Sequence, residues 1–181
     1  MLYPLPAVLV TTSDKAGRDN IFTVAWTGTV CTNPPMLSIS VRPSRYSYEL
    51  LRKTGEFVVN LTNEDLSFAV DYCGVCSGRD VDKFQKLKLH KDKADEVCAP
   101  LLQEAPVSIE CRVDREIPLG SHTLFLAKVL KVHVDKRYLD KNGKFQLNKA
   151  GMLVYSHGEY LVLGKSLGTF GYSIKKQKKR N

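Results

Sequence analysis

Apolar and β-branched residues run from Ala7 to Thr12, and a polar stretch from Ser13 to Asn20 interrupts them, which predicts a strand followed by a turn. Ile21 to Val30 is nearly all apolar or Thr with no helical period, so it predicts one continuous strand. Asn33-Pro34-Pro35 must end that strand, because proline has no N–H to give a sheet ladder. Met36 to Val41 alternates apolar and polar, the pattern of a half-buried strand. Tyr48 to Lys53 predicts a short helix, with Ser47 as its N-cap and Gly55 as its stop. Glu56 to Leu61 is strand-like again. Asn63, followed by Glu64 and Asp65, predicts the start of a second helix reaching about Tyr72.

Residues 73–105 are charged and irregular, with at most a helical turn at Phe84 to Leu87. Beyond Pro106, Val107 to Ile117 and His122 to Val134 read as two long strands joined through Pro118-Leu119-Gly120-Ser121. Asp140-Lys141-Asn142-Gly143 is a turn signal, and Met152 to Tyr155 with Tyr160 to Leu163 reads as a closing hairpin. Six or seven strands with only short helices and no βαβ alternation predict a mainly β fold. A closed or nearly closed antiparallel barrel suits it, since closure removes strand edges. The pattern offers no internal repeat and no linker, so one domain is expected over 1–170, followed by a basic tail over 171–181.

The chain has 181 residues and a formal net charge of +8. Lys175, Lys176, Lys178, Lys179 and Arg180 crowd into its end and leave +3 for the rest. A terminal run of that kind is ordinarily a solvated tail. A mildly basic body suits a phosphate-bearing ligand. No apolar run approaches the roughly 20 residues of a membrane-spanning helix, and the first residues carry no signal-like segment. The expected address is the cytoplasm. Five irregularly spaced cysteines (Cys31, Cys73, Cys76, Cys98 and Cys111) form no disulfide framework.

No Gly-x-Gly-x-x-Gly opens a helix, which disfavours a dinucleotide-binding Rossmann fold. Gly164-Lys165-Ser166 resembles the end of a phosphate loop, but its leading glycine is misplaced and Tyr160 to Leu163 intervenes as strand. Cys73-Gly74-Val75-Cys76 follows a helix instead of opening one, the wrong end for a lowered thiol pKa. Four histidines show no metal spacing, and no metal site is expected. Arg42-Pro43-Ser44-Arg45-Tyr46-Ser47 places two arginines and two serines between a strand and a helix start. Helix N-termini attract phosphate, and arginine adds permanently charged, bidentate contacts. A capped turn with exposed arginines would read the same. Ser77 to Phe84 is a second polar loop with two cations, either solvated or closing over an anion.

These segments together resemble the flavin reductase-like, flavoredoxin-type FMN-binding proteins. The stretches that carry the resemblance are Thr23-Val24-Ala25-Trp26, Ser40 to Leu50, Gly55 to Asn60, Asp71-Tyr72-Cys73-Gly74, Ser77 to Phe84 and Leu119 to Phe125. The likeness runs from about Pro4 to Leu163. It implies a split β-barrel of Greek-key topology, assembled as a homodimer with FMN near the subunit interface. It implies that Asn20, Thr23, Val24, Ala25 and Trp26 run beside the isoalloxazine, with backbone N–H groups bonding its edge. Arg42, Ser44, Arg45 and Ser47 would hold the ribityl phosphate, and Lys83 and Phe84 would approach from the second loop. His122 and Tyr155 match positions near the ring. Trp26 serves equally as core or dimer-interface packing, and His122 equally as a strand-edge histidine. Cys76 and the residues after Gly171 lie outside the family pattern.

The implied activity is oxidoreduction through FMN, with NAD(P)H as a transient donor or a redox protein as partner, and no catalytic acid or base. Lys83 or His122 would supply positive charge beside the reduced ring. A non-enzymatic FMN-binding electron carrier or flavin store shares fold and site. A nucleic-acid-binding barrel using the tail is the third reading, and the lack of a basic–aromatic stretch in the barrel argues against it.

Overall fold

β-Branched runs flanked by turn residues form strands here as their composition dictates. In chain order the strands are β1 (Leu5–Pro6), β2 (Val8–Ser13), β3 (Asp19–Val24), β4 (Thr27–Thr32), β5 (Pro35–Val41), β6 (Glu56–Leu61), β7 (Lys91–Asp92), β8 (Leu101–Leu102), β9 (Val107–Pro118), β10 (Thr123–Val134), β11 (Leu153–Ser156) and β12 (Glu159–Val162). Three helices accompany them: α1 (Tyr46–Thr54), α2 (Ser67–Val75) and α3 (Lys83–Leu87). The structure is a computed structural model and describes residues 2–14 and 16–174. The basic run from Lys175 lies outside the described residues. None of the described helices is long and apolar enough to cross a membrane.

The main sheet has seven strands in the order β3-β2-β6-β9-β10-β5-β4, with antiparallel neighbours throughout. The crossover from β5 to β6 through α1 passes two intervening strands and gives the Greek-key connectivity. The stretch from Ile21 to Val30, expected as one strand, is two. β3 pairs with β2 at one end of the sheet, and β4 pairs with β5 at the other. Ala25 and Trp26 join them. Two strands linked by two residues cannot stand at opposite edges of a flat sheet, so the sheet curls until its edges meet. No β3–β4 ladder forms among the described residues. The barrel is therefore split along this seam.

Inward-facing Val8, Val10, Phe22, Val24, Ile39, Phe57, Val59 and Phe125 fill the barrel. Leu51 of α1 plugs one end, and Tyr48 lies edge-on to Phe125 with ring centroids 5.7 Å apart. Gly55 ends α1 at φ 67°, donating its N–H to the Leu51 carbonyl at 2.7 Å. The expected N-cap is displaced by two residues. Arg45 occupies that position without a side-chain cap, and Ser47 is buried in the first turn.

A second core forms outside the barrel, where Leu9 and Ile21 on the outer face of β2 and β3 meet Leu66 and Val70 near α2, Phe84 of α3 and Leu153 of β11. Asn63 makes no cap bond. A short 3-10 turn, Glu64–Leu66, precedes α2, which runs past Tyr72 to Val75. Residues 73–105, expected as irregular, thus contain the end of α2, all of α3 and the small β7–β8 pair. β1, β11 and β12 make a separate three-stranded sheet. The β11–β12 turn holds both His157 (φ 49°) and Gly158 (φ 93°) in the left-handed region that tight hairpins require.

Glu110 on β9 is fully buried. Its carboxylate accepts from the N–H groups of Asp95 (3.0 Å), Glu96 (2.6 Å) and Val97 (3.1 Å), and it contacts His133 Nε2 at 2.6 Å. Burial works to raise its pKa, but the hydrogen bonds from His133 and the two backbone groups outweigh that and hold it below the ordinary carboxylate range. Replacing Glu110 by Ala strands three donors, with an expected loss of about 3 kcal/mol in urea unfolding. The native carboxylate stabilises the fold above its unfolded pKa of about 4.3, and that contribution is lost as pH falls through the lowered folded value. An acid-unfolding limb unchanged in Glu110→Ala would contradict this.

Candidate functional site

β3 is an edge strand, so alternate backbone groups along it have no sheet partner. The Ile21 carbonyl points to that open side, where it accepts from Lys83 Nζ at 2.7 Å. By the two-residue period the N–H groups of Thr23 and Ala25 face the same way. Beyond them, Trp26 gives its carbonyl to Ser40 N–H at 2.9 Å, which carries the chain across to β5. The open edge is thus a row of donors at the barrel seam.

A cleft of about 400 Å³ lies against this edge, bordered by Asn20, Thr23, Arg42, Ser44, Arg45 and Lys83 among others. Arg42, Ser44 and Arg45 are exposed. Neither guanidinium has a hydrogen bond or ion pair among the described residues. At the start of α1, Arg45 offers no side-chain cap; the Tyr48 N–H bonds the Arg45 carbonyl at 3.0 Å, and the N–H groups of Tyr46 and Ser47 are left for a ligand. Two unpaired cations, a serine and an uncapped helix start converge there, a donor set made for an anion.

Asn20 is buried and donates from Nδ2 to Ser47 Oγ at 2.6 Å, bracing β3 against α1. Gly78 packs so closely here that an added Cβ would lie 2.2 Å from Asn20 Oδ1 and 2.8 Å from Tyr46 Cδ1. Arg79 then closes the loop over the cleft. Its guanidinium donates to the Ser44 carbonyl at 3.1 Å and lies 5.6 Å from the Tyr46 ring centre. Gly78 and Arg79 were not among the residues picked from sequence. The signal was present in the Ser77-Gly78-Arg79 motif, but only contact with Asn20 and Ser44 gives those residues a task.

Lys83 is 3% exposed, with no carboxylate partner. Its ammonium donates to the carbonyls of Ile21 and Cys73, the latter at 3.1 Å, and so ties the loop end to both β3 and α2. Burial lowers its pKa, with the neighbouring cysteines opposing. Three N–H donors and two bonds leave one N–H over, and Lys83 borders the cleft.

A second hollow of about 230 Å³ follows the seam itself, past Thr23, Val24, Ala25, Trp26, Arg42 and His122. Val24 turns its side chain into the barrel core, leaving its backbone at the seam. Trp26 is 43% exposed and lies against His122, ring centroids 4.5 Å apart at 35°. His122 contacts Ser121 Oγ through Nδ1 at 2.9 Å. Partial burial, with Arg42 nearby, lowers its pKa. A third hollow of about 390 Å³ adjoins Thr23, Ala25 and Arg45 and is bordered by Asp71, Tyr155 and Tyr160. Burial and the Asp71 carboxylate push the Tyr160 phenol up to about 12. Phe84 packs its ring into the second core, 5.2 Å from Lys91 Nζ, and borders a further hollow with Asn20, Gly78 and Lys83.

Backbone donors at a barrel seam beside an arginine turn make a site suited to a flat polar ligand with an anionic end. The family model of the flavin reductase like domain matches residues 1–164. The chain belongs to this family. Among solved structures, the flavoredoxin of Desulfovibrio vulgaris (Miyazaki F) superposes with a TM-score of 0.89 at 31% identity, covering 97% of this chain and 95% of that one. The flavoredoxin of Methanosarcina acetivorans gives 0.88 at 28% identity, covering 97% and 93%. The FMN-binding protein of Thermus thermophilus gives 0.80 at 25%, covering 92% and 90%. Family membership fits the split barrel and a flavin-related redox function.

Lys83→Met keeps the length of the side chain but removes the donors held by Ile21 and Cys73. The expected cost is about 2 kcal/mol in urea unfolding, from two stranded buried carbonyls. An unchanged unfolding midpoint would show that the ammonium does not join β3 to α2.

Proposed function

We propose that the chain is an FMN-binding flavoprotein oxidoreductase that passes electrons from NAD(P)H or a redox protein partner through the flavin. One observation carries the reading: two unpaired guanidiniums beside an uncapped helix start share a cleft with the unpaired edge of β3. In this reading Arg42, Ser44, Arg45 and the first N–H groups of α1 hold the phosphate. Ser47 also borders the cleft, and its hydroxyl, held by Asn20, fixes the first turn that presents these N–H groups. Thr23 and Ala25 offer backbone N–H groups to the edge of the ring, and Trp26 with His122 lines the seam beside it.

Bound there, FMN would supply hydride and electron-transfer chemistry. The chain's own part is electrostatic and positional. Lys83 holds a buried positive charge fixed by two carbonyls, suited to stabilising negative charge that develops nearby. His122, its pKa lowered, can hydrogen-bond without adding a second charge at neutral pH. The hollow at Tyr155 and Tyr160 is the space left for a donor or acceptor. The reading includes assembly as a homodimer and a place in the cytoplasm.

Trp26 is the chain's one tryptophan and stands in the seam, so its emission reports binding directly. Titration with FMN is expected to quench it at one FMN per chain. Arg42→Ala with Arg45→Ala is expected to weaken FMN by about a hundredfold, since each charged hydrogen bond is worth about 1.5 kcal/mol or more. Riboflavin, which lacks the phosphate, should bind both proteins alike. Gly78→Ala is expected to weaken FMN at least about tenfold by displacing Asn20 or the loop. A colourless protein indifferent to FMN would sink the cofactor reading. Steady-state oxidation of NADH or NADPH separates an enzyme from a carrier, which would bind flavin and turn nothing over.

A further inference from the structure

Cys73 and Cys76 both border the cleft of the arginine turn. Cys73 lies in α2 and is 1% exposed, whereas Cys76 follows the last turn and is half-buried. The Cys76 N–H remains bonded to the Tyr72 carbonyl at 2.9 Å, so the two residues stay one helical turn apart. Helix geometry sets their Cα atoms about 5 Å apart, inside the span a disulfide bridges without backbone movement. Both thiols are free. Of the other cysteines, Cys31 lies on β4, Cys111 is buried in the barrel core and Cys98 is exposed on the loop before β8.

We propose that Cys73 and Cys76 form a thiol–disulfide exchange site in the wall of this cleft, acting on small or peptide disulfides. Exposure assigns the roles. The Cys76 thiolate, reachable from the cleft, attacks one sulfur of an incoming R–S–S–R, forms a mixed disulfide and releases the first RS⁻. The Cys73 thiolate then attacks Cys76 Sγ, forms the Cys73–Cys76 bond and expels the second RS⁻. Two cysteine thiols are oxidised, one disulfide is reduced, and the two thiol protons end on the two released RS groups. The Lys83 ammonium, bonded to the Cys73 carbonyl, keeps a positive charge close to the resolving thiol.

The pair sits at the end of a helix, where the dipole does nothing to favour a thiolate, and burial pushes the Cys73 thiol up to about 11. Dithiols at helix N-termini owe their oxidising character to a stabilised reduced form. This pair lacks the helix-dipole part of that stabilisation, which favours its disulfide over its dithiol. The site rests on the cleft wall alone and does not require that flavin bind.

The test uses the purified protein, reduced with dithiothreitol, desalted, exposed to oxidised glutathione and quenched with N-ethylmaleimide before peptide mapping. The wild-type chain is expected to carry a Cys73–Cys76 disulfide. Cys73→Ser is expected to stop at glutathione bound to Cys76, and Cys76→Ser to leave Cys73 unmodified. Glutathione confined to the exposed Cys98, or reaction at Cys73 undiminished in Cys76→Ser, would overturn the proposal. The wild-type map decides the main point even where a variant fails to fold.

Discussion

Ala25 and Trp26 connect strands that sit at opposite ends of the sheet order, and that short connection governs the molecule. It forces the seven strands into a curl, because two residues can span only a few ångströms. It also prevents complete closure, since the chain leaves one edge for the other before β3 and β4 can pair. The unpaired backbone along β3 would ordinarily invite another strand. Here α2, α3 and the β11–β12 hairpin pack over the outer face beside it, and the remaining donors open onto a cleft.

The charge distribution follows from the same arrangement. Among the described residues the other arginines each have a carboxylate within 4 Å, such as Arg18 with Asp14 or Arg112 with Glu56. Arg42 and Arg45 do not, although they lie only three residues apart beside the start of α1. Keeping two guanidiniums unpaired at a helix end of the same sign destabilises the unliganded protein. A bound phosphate would relieve both repulsions together, which makes the turn selective for anions over neutral polar groups.

Much of the barrel was legible because its strands alternate clearly and its turns carry glycine or proline. Gly55 marked the end of α1 as expected, and the long β9–β10 pair was visible as two runs with a Pro-Leu-Gly-Ser connection. The break within Ile21 to Val30 was not legible. Ala25 and Trp26 have no turn chemistry, and only pairing with two different neighbours divides the stretch. The helix caps misled for a related reason: Ser47 has the right hydroxyl, but Asn20 on a distant strand takes it. Residues chosen for the site by family resemblance gather in adjoining hollows, with Phe84 reaching one of them from the outer core. The bracing by Gly78 and the double bond of Lys83 depend on contacts far apart in sequence, which no local pattern records.

The loop from Ser77 to Asp82 is held at both ends, by Cys76 on the last turn of α2 and by Lys83 on β3 and α2, and Gly78 presses its middle onto Asn20. A segment so short and so fixed has few alternative shapes. The far wall of the cleft is therefore ordered before any ligand arrives, and the entropy of shaping it is spent in folding instead of in binding. A ligand entering there would meet a standing gap, and its thickness alone would decide whether it fits.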